Sequence, residues 1–245
     1  MTRTALITGS GRNIGRAIAL HLAGSGHNIV VNGSSNREAC DAVAAEVEAF
    51  GVSALVAMGN IGDREENRAI ADAAVERFGG VDVLVNNAAV RPDGDFLTMP
   101  DDEWDRVMNI NMSSAFWLGR ALIPGRVERG YGRIINFTGM NAQQGYAGKI
   151  HVTVSKHAMW GMTKSLAKEF GRNGITANII SPGTIVGESR DTHSSHGSLD
   201  TLLANNPVGR LGVPDDIASM VDLLVSDQGS FINGQLLQIN GGVVT

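Results

Sequence analysis

The sequence contains one cysteine, Cys40, so no internal disulfide can form. Cys40 sits beside Ala39 and Ala42 in a helix-like stretch with no motif around it, and reads as a small packed residue rather than a nucleophile. Six histidines and that single cysteine show no metal-ligand spacing, so no metal is expected. Long apolar runs are also missing: none approaches the roughly 20 residues that a membrane span requires. "TRTALITG" has no basic segment ahead of a long apolar run, so no secretory leader is expected and a cytoplasmic setting is the default. Positive charge is in short supply. Twenty Lys and Arg face 25 Asp and Glu, for a net charge of −5, which disfavours nucleic acid as a partner.

What is present is an alternation. "TALIT" (4–8), "NIVVN" (28–32), "SALVAM" (53–58), "VDVLVN" (81–86), "RIINFT" (133–138), "ITANII" (175–180) and "QLLQI" (235–239) read as buried strands. Between them lie stretches with helical spacing. "NREACDAVAAEVEAF" places Ala39, Val43, Val47 and Phe50 on one face, with its acids elsewhere. Strand–helix alternation of this kind predicts an α/β fold: a Rossmann-like, doubly wound, seven-stranded parallel sheet with helices on both faces. No linker or repeat interrupts it, so residues 1–245 are expected to form a single domain. The polar stretch 187–212 follows a strand end and is expected to be a lid over a site, or else a solvated loop.

"TALITGSGRNIGRAIALHLAGSG" is strand, glycine-rich turn and helix. Gly9, Gly11 and Gly15 allow a tight turn and close approach to a pyrophosphate, which the amides at the helix start then face. After the second strand, "VVNGSSNRE" puts Gly33, not an acid, where NAD sites hold the ribose 2′-hydroxyl. Ser34, Ser35 and Arg37, with Arg12 in the glycine loop, suit a 2′-phosphate, so NADP is favoured over NAD.

Over essentially its full length the chain resembles the short-chain dehydrogenase/reductase family. The glycine loop corresponds to Thr8, Gly9, Ser10, Gly11, Arg12, Asn13, Ile14 and Gly15. The family's Asn-Asn-Ala-Gly motif falls on Asn86, Asn87, Ala88 and Ala89, and its Pro-Gly motif on Pro182 and Gly183. "WDRVMNINMSSAF" matches the helix with the family's asparagine, here Asn111. The resemblance implies that Asn60, Ile61 and Ile185 also border the cofactor, and that the chain forms a homotetramer. Two loop positions depart from the motif: Asn13 and Ala89 replace glycines. Asparagine tolerates a left-handed backbone, so the turn can persist.

The resemblance also implies a mechanism for reducing a small-molecule carbonyl. A tyrosine gives or takes a proton, a lysine one turn later binds the ribose and lowers the tyrosine's pKa, a serine steadies the oxygen, and the asparagine holds a water. Lys156 matches the lysine. Four residues earlier stands Val152, the serine position falls on Gly139, and a threonine near the nicotinamide falls on Gly187. Tyr146 is a candidate replacement acid or a pocket-lining aromatic. His151 is a second candidate, although its helix position points it about 100° away from Val152. Lys156, Asn111 and Tyr146 are thus the candidate catalytic residues. Three functions stay open: an NADP-dependent oxidoreductase of a carbonyl, imine or activated alkene with a rebuilt acid; a catalytically silent cofactor-binding subunit or sensor; and, least favoured, a lyase or dehalogenase.

Overall fold

The computed structural model describes residues 2–187 and 198–245. All seven expected strands form: β1 (Thr4–Ile7), β2 (Asn28–Gly33), β3 (Ala54–Met58), β4 (Val83–Asn86), β5 (Gly132–Phe137), β6 (Ile175–Pro182) and β7 (Leu236–Ile239). They make one sheet in the order β3-β2-β1-β4-β5-β6-β7, with every pairing parallel.

The strands read as continuous apolar runs because both faces are covered. Side chains alternate across the sheet. Ile7, Val31 and Val85 enter one core with Ile18 and Leu22 of α1 (Asn13–Gly24) and with Val43 of α2 (Arg37–Glu48). Leu6, Val30 and Leu84 enter the opposite core with Ile70 of α3 (Arg64–Phe78). Of the face expected on α2, Val43 and Val47 are buried, whereas Phe50 lies beyond the helix end and is 54% exposed.

The remaining helices are α4 (Asp101–Met108), α5 (Ser114–Arg129), α6 (Met140–Gln144), α7 (Ile150–Phe170), α8 (Leu199–Ala204) and α9 (Pro214–Val225). A π-helical turn, Asn109–Ser113, joins α4 to α5. Strand order reverses between β1 and β4, and the crevice beyond the strand ends at such a switch point is where open α/β sheets bind ligands. The lid expected around 187–212 falls in large part on residues 188–197, outside the described residues. The described part of that stretch holds α8 and a bridge from Gly212 to Ile185.

Candidate active site

A cleft of about 860 Å³ opens at the switch point, within the roughly 300–1,000 Å³ typical of ligand sites. The turn after β1 floors one end. Gly9 has φ +63 and Asn13 φ +49, and Asn13 is the one non-glycine residue with positive φ among the described residues. The left-handed backbone expected of Asn13 is therefore present. A Cβ on Gly15 would overlap the Gly9 carbonyl and stand 2.8 Å from Asn87 Nδ2. Asn87 Nδ2 donates to the Thr8 and Gly9 carbonyls at 2.9 and 3.1 Å, and the Ala88 amide donates to Thr8 Oγ1 at 3.0 Å. The two motifs thus brace each other across β1 and β4. The first turn of α1 contains no acid, so the positive end of its dipole faces the cleft unopposed.

Most of the expected cofactor residues meet along this cleft. Gly9, Arg12, Asn13, Ile14 and Gly15 border it from the turn and α1. Ser34, Ser35, Asn60 and Ile61 border it from the ends of β2 and β3, and Asn87, Ala88 and Ala89 from the end of β4. Lys156, Pro182, Gly183 and Ile185 close the other side. Asn60 Oδ1 accepts from the Gly62 amide at 3.0 Å, which holds this side chain in a tight turn.

Two expected ligand residues are placed elsewhere. Ser10 is fully buried: its hydroxyl donates to the Ile7 carbonyl at 2.9 Å and accepts from the Asn32 amide at 3.0 Å, so it ties β1 to β2. Arg37 opens α2 and pairs with Asp41 at 3.4 Å, outside the cleft wall, because its helical position directs it to its own i+4 neighbour. That leaves Arg12, with Ser34, Ser35 and Asn36, at the β2 end of the cleft. Cys40 is buried as expected, but it also borders this end of the cleft, and burial pushes its thiol pKa up.

At the other end, Lys156 is 5% exposed, and its Nζ donates to the Phe137 carbonyl at 3.0 Å. Burial lowers its pKa to about 7, with a further push from the Arg91 charge. Val152, 2% exposed, lies one turn before it on α7. Thr138 and Gly139 border the cleft beside them. The expected change at position 187 finds a partner: a Cβ on Gly187 would overlap the Asn13 side-chain oxygen. Asparagine in the loop and glycine at 187 are therefore sterically coupled.

Asn111 sits in the π-helical turn, a deformation frequent at functional sites. Its Oδ1 accepts from the Val90 amide at 2.8 Å, and its Nδ2 donates to the Val90 carbonyl at 2.9 Å and to Ser155 Oγ at 3.2 Å. It clamps the segment after β4 and does not border the cleft. Tyr146 is also off the cleft wall, close enough to Arg91 and Asp93 to feel both charges, and burial raises its phenol pKa. His151 is 0% exposed and its ring lies near Gly94, away from the cleft, as its helical position predicts. Burial lowers its pKa.

Arg91 was not singled out from the sequence; it borders the cleft on the Lys156 side. Its position two residues past Ala89 was a signal that could have found it. No carboxylate borders the cleft among the described residues, whereas Arg12, Arg91 and Lys156 all do. The described residues contain no cluster able to hold a metal, and no helix long and apolar enough to cross a membrane.

Comparison with known proteins agrees with this geometry. The family model described as enoyl-(acyl carrier protein) reductase matches residues 9–244. The 3-oxoacyl-[acyl-carrier-protein] reductase FabG of Staphylococcus aureus is 37% identical over 243 residues, covering 99% of this chain and 98% of that protein. The corresponding reductase of Haemophilus influenzae is 34% identical over 241 residues, covering 98% of each. Among solved structures, acetoin dehydrogenase YohF from Salmonella typhimurium superposes with a TM-score of 0.91 at 31% identity, covering 99% of this chain and 96% of that one. With matches of this extent, and with the glycine turn, the Asn87 brace and Lys156 arranged around one cleft, the chain belongs to the short-chain dehydrogenase/reductase family of oxidoreductases.

Proposed function

We propose that the chain is an NADPH-dependent reductase of a small carbonyl, imine or related substrate, in which Lys156 holds the proton that a tyrosine holds elsewhere in the family. One observation carries this reading. In a chain of net charge −5, the cleft is bordered by Arg12, Arg91 and Lys156 and, among the described residues, by no carboxylate. An acid at the end of β2 would repel a 2′-phosphate; Gly33, Ser34 and Ser35 stand there instead. A dinucleotide bound here supplies a hydride to the substrate carbon, and the substrate oxygen or nitrogen then needs a proton.

The chain's own residues would divide the remaining work. Gly9, Arg12, Asn13, Ile14 and Gly15 take the pyrophosphate at the start of α1, with Arg12, Ser34 and Ser35 toward the 2′-phosphate. Asn60 and Ile61 flank the adenine, and Ala88, Ala89, Pro182, Gly183 and Ile185 line the path to the nicotinamide. Lys156 binds the ribose and exchanges a proton near neutrality, because burial holds its pKa near 7. Asn111 positions the β4 segment rather than touching substrate. The activities named for the relatives, reduction of 3-oxoacyl groups and oxidation of acetoin, support carbonyl chemistry. We further infer one catalytic unit spanning 1–245, a cytoplasmic setting, and a homotetramer; the exposed Phe116 of α5 and Val154 of α7 support the assembly.

A silent, cofactor-binding subunit is the second reading. It is favoured by Val152 and Gly139, which leave no hydroxyl at the two positions where the family has one. NADPH oxidation against a panel of carbonyls and imines separates the two. Substrate-dependent oxidation above background supports the reductase. Tight NADPH binding with no oxidation across the panel supports the silent subunit.

A further inference from the structure

The reaction end of the cleft has one cation more than its cofactor chemistry uses. Lys156 has the ribose role; Arg91 has none. The backbone around Arg91 is fixed on both sides. Both polar groups of Val90 bond to Asn111. The Arg91 carbonyl accepts from Lys149 Nζ at 2.7 Å, and the Gly94 amide donates to the Gly148 carbonyl at 2.9 Å. The nearest acid in sequence, Asp93, is engaged by Lys149 at 2.6 Å. Among the described residues no carboxylate pairs with the Arg91 guanidinium. The residue borders the cleft, and its charge acts on Lys156 across it.

A dinucleotide would not neutralise that charge. Its phosphates belong at the Arg12 end, and a nicotinamide ring is neutral when reduced and positive when oxidised. The substrate also lacks a hydroxyl from Gly139 to orient it. A guanidinium can supply both charge balance and orientation, since its planar fork matches a carboxylate with two parallel hydrogen bonds.

We propose that Arg91 anchors an anionic group of the substrate, so that this reductase acts on oxo acids, carbonyl compounds bearing a free carboxylate, rather than on neutral carbonyls. This rests on the reductase reading above and names its substrate class. Arg91 is the residue that sets specificity; Lys149, Asp93 and Asn111 hold it in place.

The test compares 2-oxobutanoate and 3-oxobutanoate with their methyl esters, using the full chain and NADPH. The wild type should favour each acid over its ester by about tenfold or more in kcat/KM, the size expected of a charge-assisted contact. Arg91→Gln should collapse that ratio toward one, chiefly through KM of the acids, and Arg91→Lys should restore part of it. Equal use of acid and ester by the wild type, or an equal loss on both in Arg91→Gln, overturns the proposal. If neither acid nor ester is reduced, the reductase reading fails by itself, and calorimetry of the same acids on the NADP⁺-loaded protein still decides the anchor. Binding that Arg91→Gln weakens supports it; no binding of the acids overturns it.

Discussion

The two ends of the cleft are built by different means. The cofactor end is made of backbone: a left-handed turn at Gly9 and Asn13, a glycine packed against a carbonyl at Gly15, and an amide clamp from Asn87. Side chains there can change while the shape persists, as Asn13 and Ala89 show. The reaction end depends on single side-chain atoms. There, Val152, one turn before Lys156, and Gly139, beside the cleft, carry no hydroxyl, and the fold around them is intact. Under the proposed function, proton transfer is rewritten at this end while the binding shape at the other end is kept.

The largest effect expected from perturbing this contrast comes from adding bulk to the backbone end. Gly15→Val should abolish NADPH binding in calorimetry and cost about 1–3 kcal/mol in denaturant unfolding, because the new side chain meets the Gly9 carbonyl and Ser10. Binding within a few-fold of wild type would refute the claim that this end is shaped by backbone.

Lys156→Met should come next. NADPH affinity should drop about tenfold or more, the scale of a hydrogen bond from a charged group, and turnover should vanish. The same variant tests the state of the lysine. Its folded pKa, about 7, lies below its ordinary value of 10.5, so between those values the unfolded chain binds more protons than the folded one. Wild-type stability should therefore rise from pH 7 toward 10.5 relative to Lys156→Met. A flat difference across that window would place Lys156 in a solvated setting.

A smaller effect should appear where the two ends touch. Gly187→Thr alone should weaken NADPH binding several-fold, because its side chain displaces that of Asn13. Combined with Asn13→Gly, it should recover, with a coupling of about 0.5–3 kcal/mol in the double-mutant cycle. Strict additivity would show the two substitutions to be independent. The smallest effect is expected from Tyr146→Phe. Its side chain stands off the cleft wall, so kcat should change by less than about twofold. A loss of tenfold or more would make Tyr146 the acid and return the proton to a tyrosine.

The fold was legible because its signals are periodic. Buried parallel strands announce themselves as apolar runs, and each of the seven expected runs became a strand within two residues at either end. The cofactor end was legible because glycine positions report backbone geometry directly. Arg37 was not, since a cation near a strand end says nothing about which way it turns; here its helical neighbour Asp41 took it. Ser10 misled for the same reason: its hydroxyl turned inward to Asn32. Arg91 was harder to single out: its place just past Ala89 pointed to the cleft, but no linear pattern says that Lys149 would engage Asp93.

Hydride transfer itself is the most direct measurement. NADPH carrying deuterium at the nicotinamide C4 would be incubated with the oxo acids, and the products analysed by mass spectrometry. One deuterium is expected on the reduced carbon of a hydroxy acid, and none with Lys156→Met. Tight NADPH binding with no deuterium in any product would contradict it.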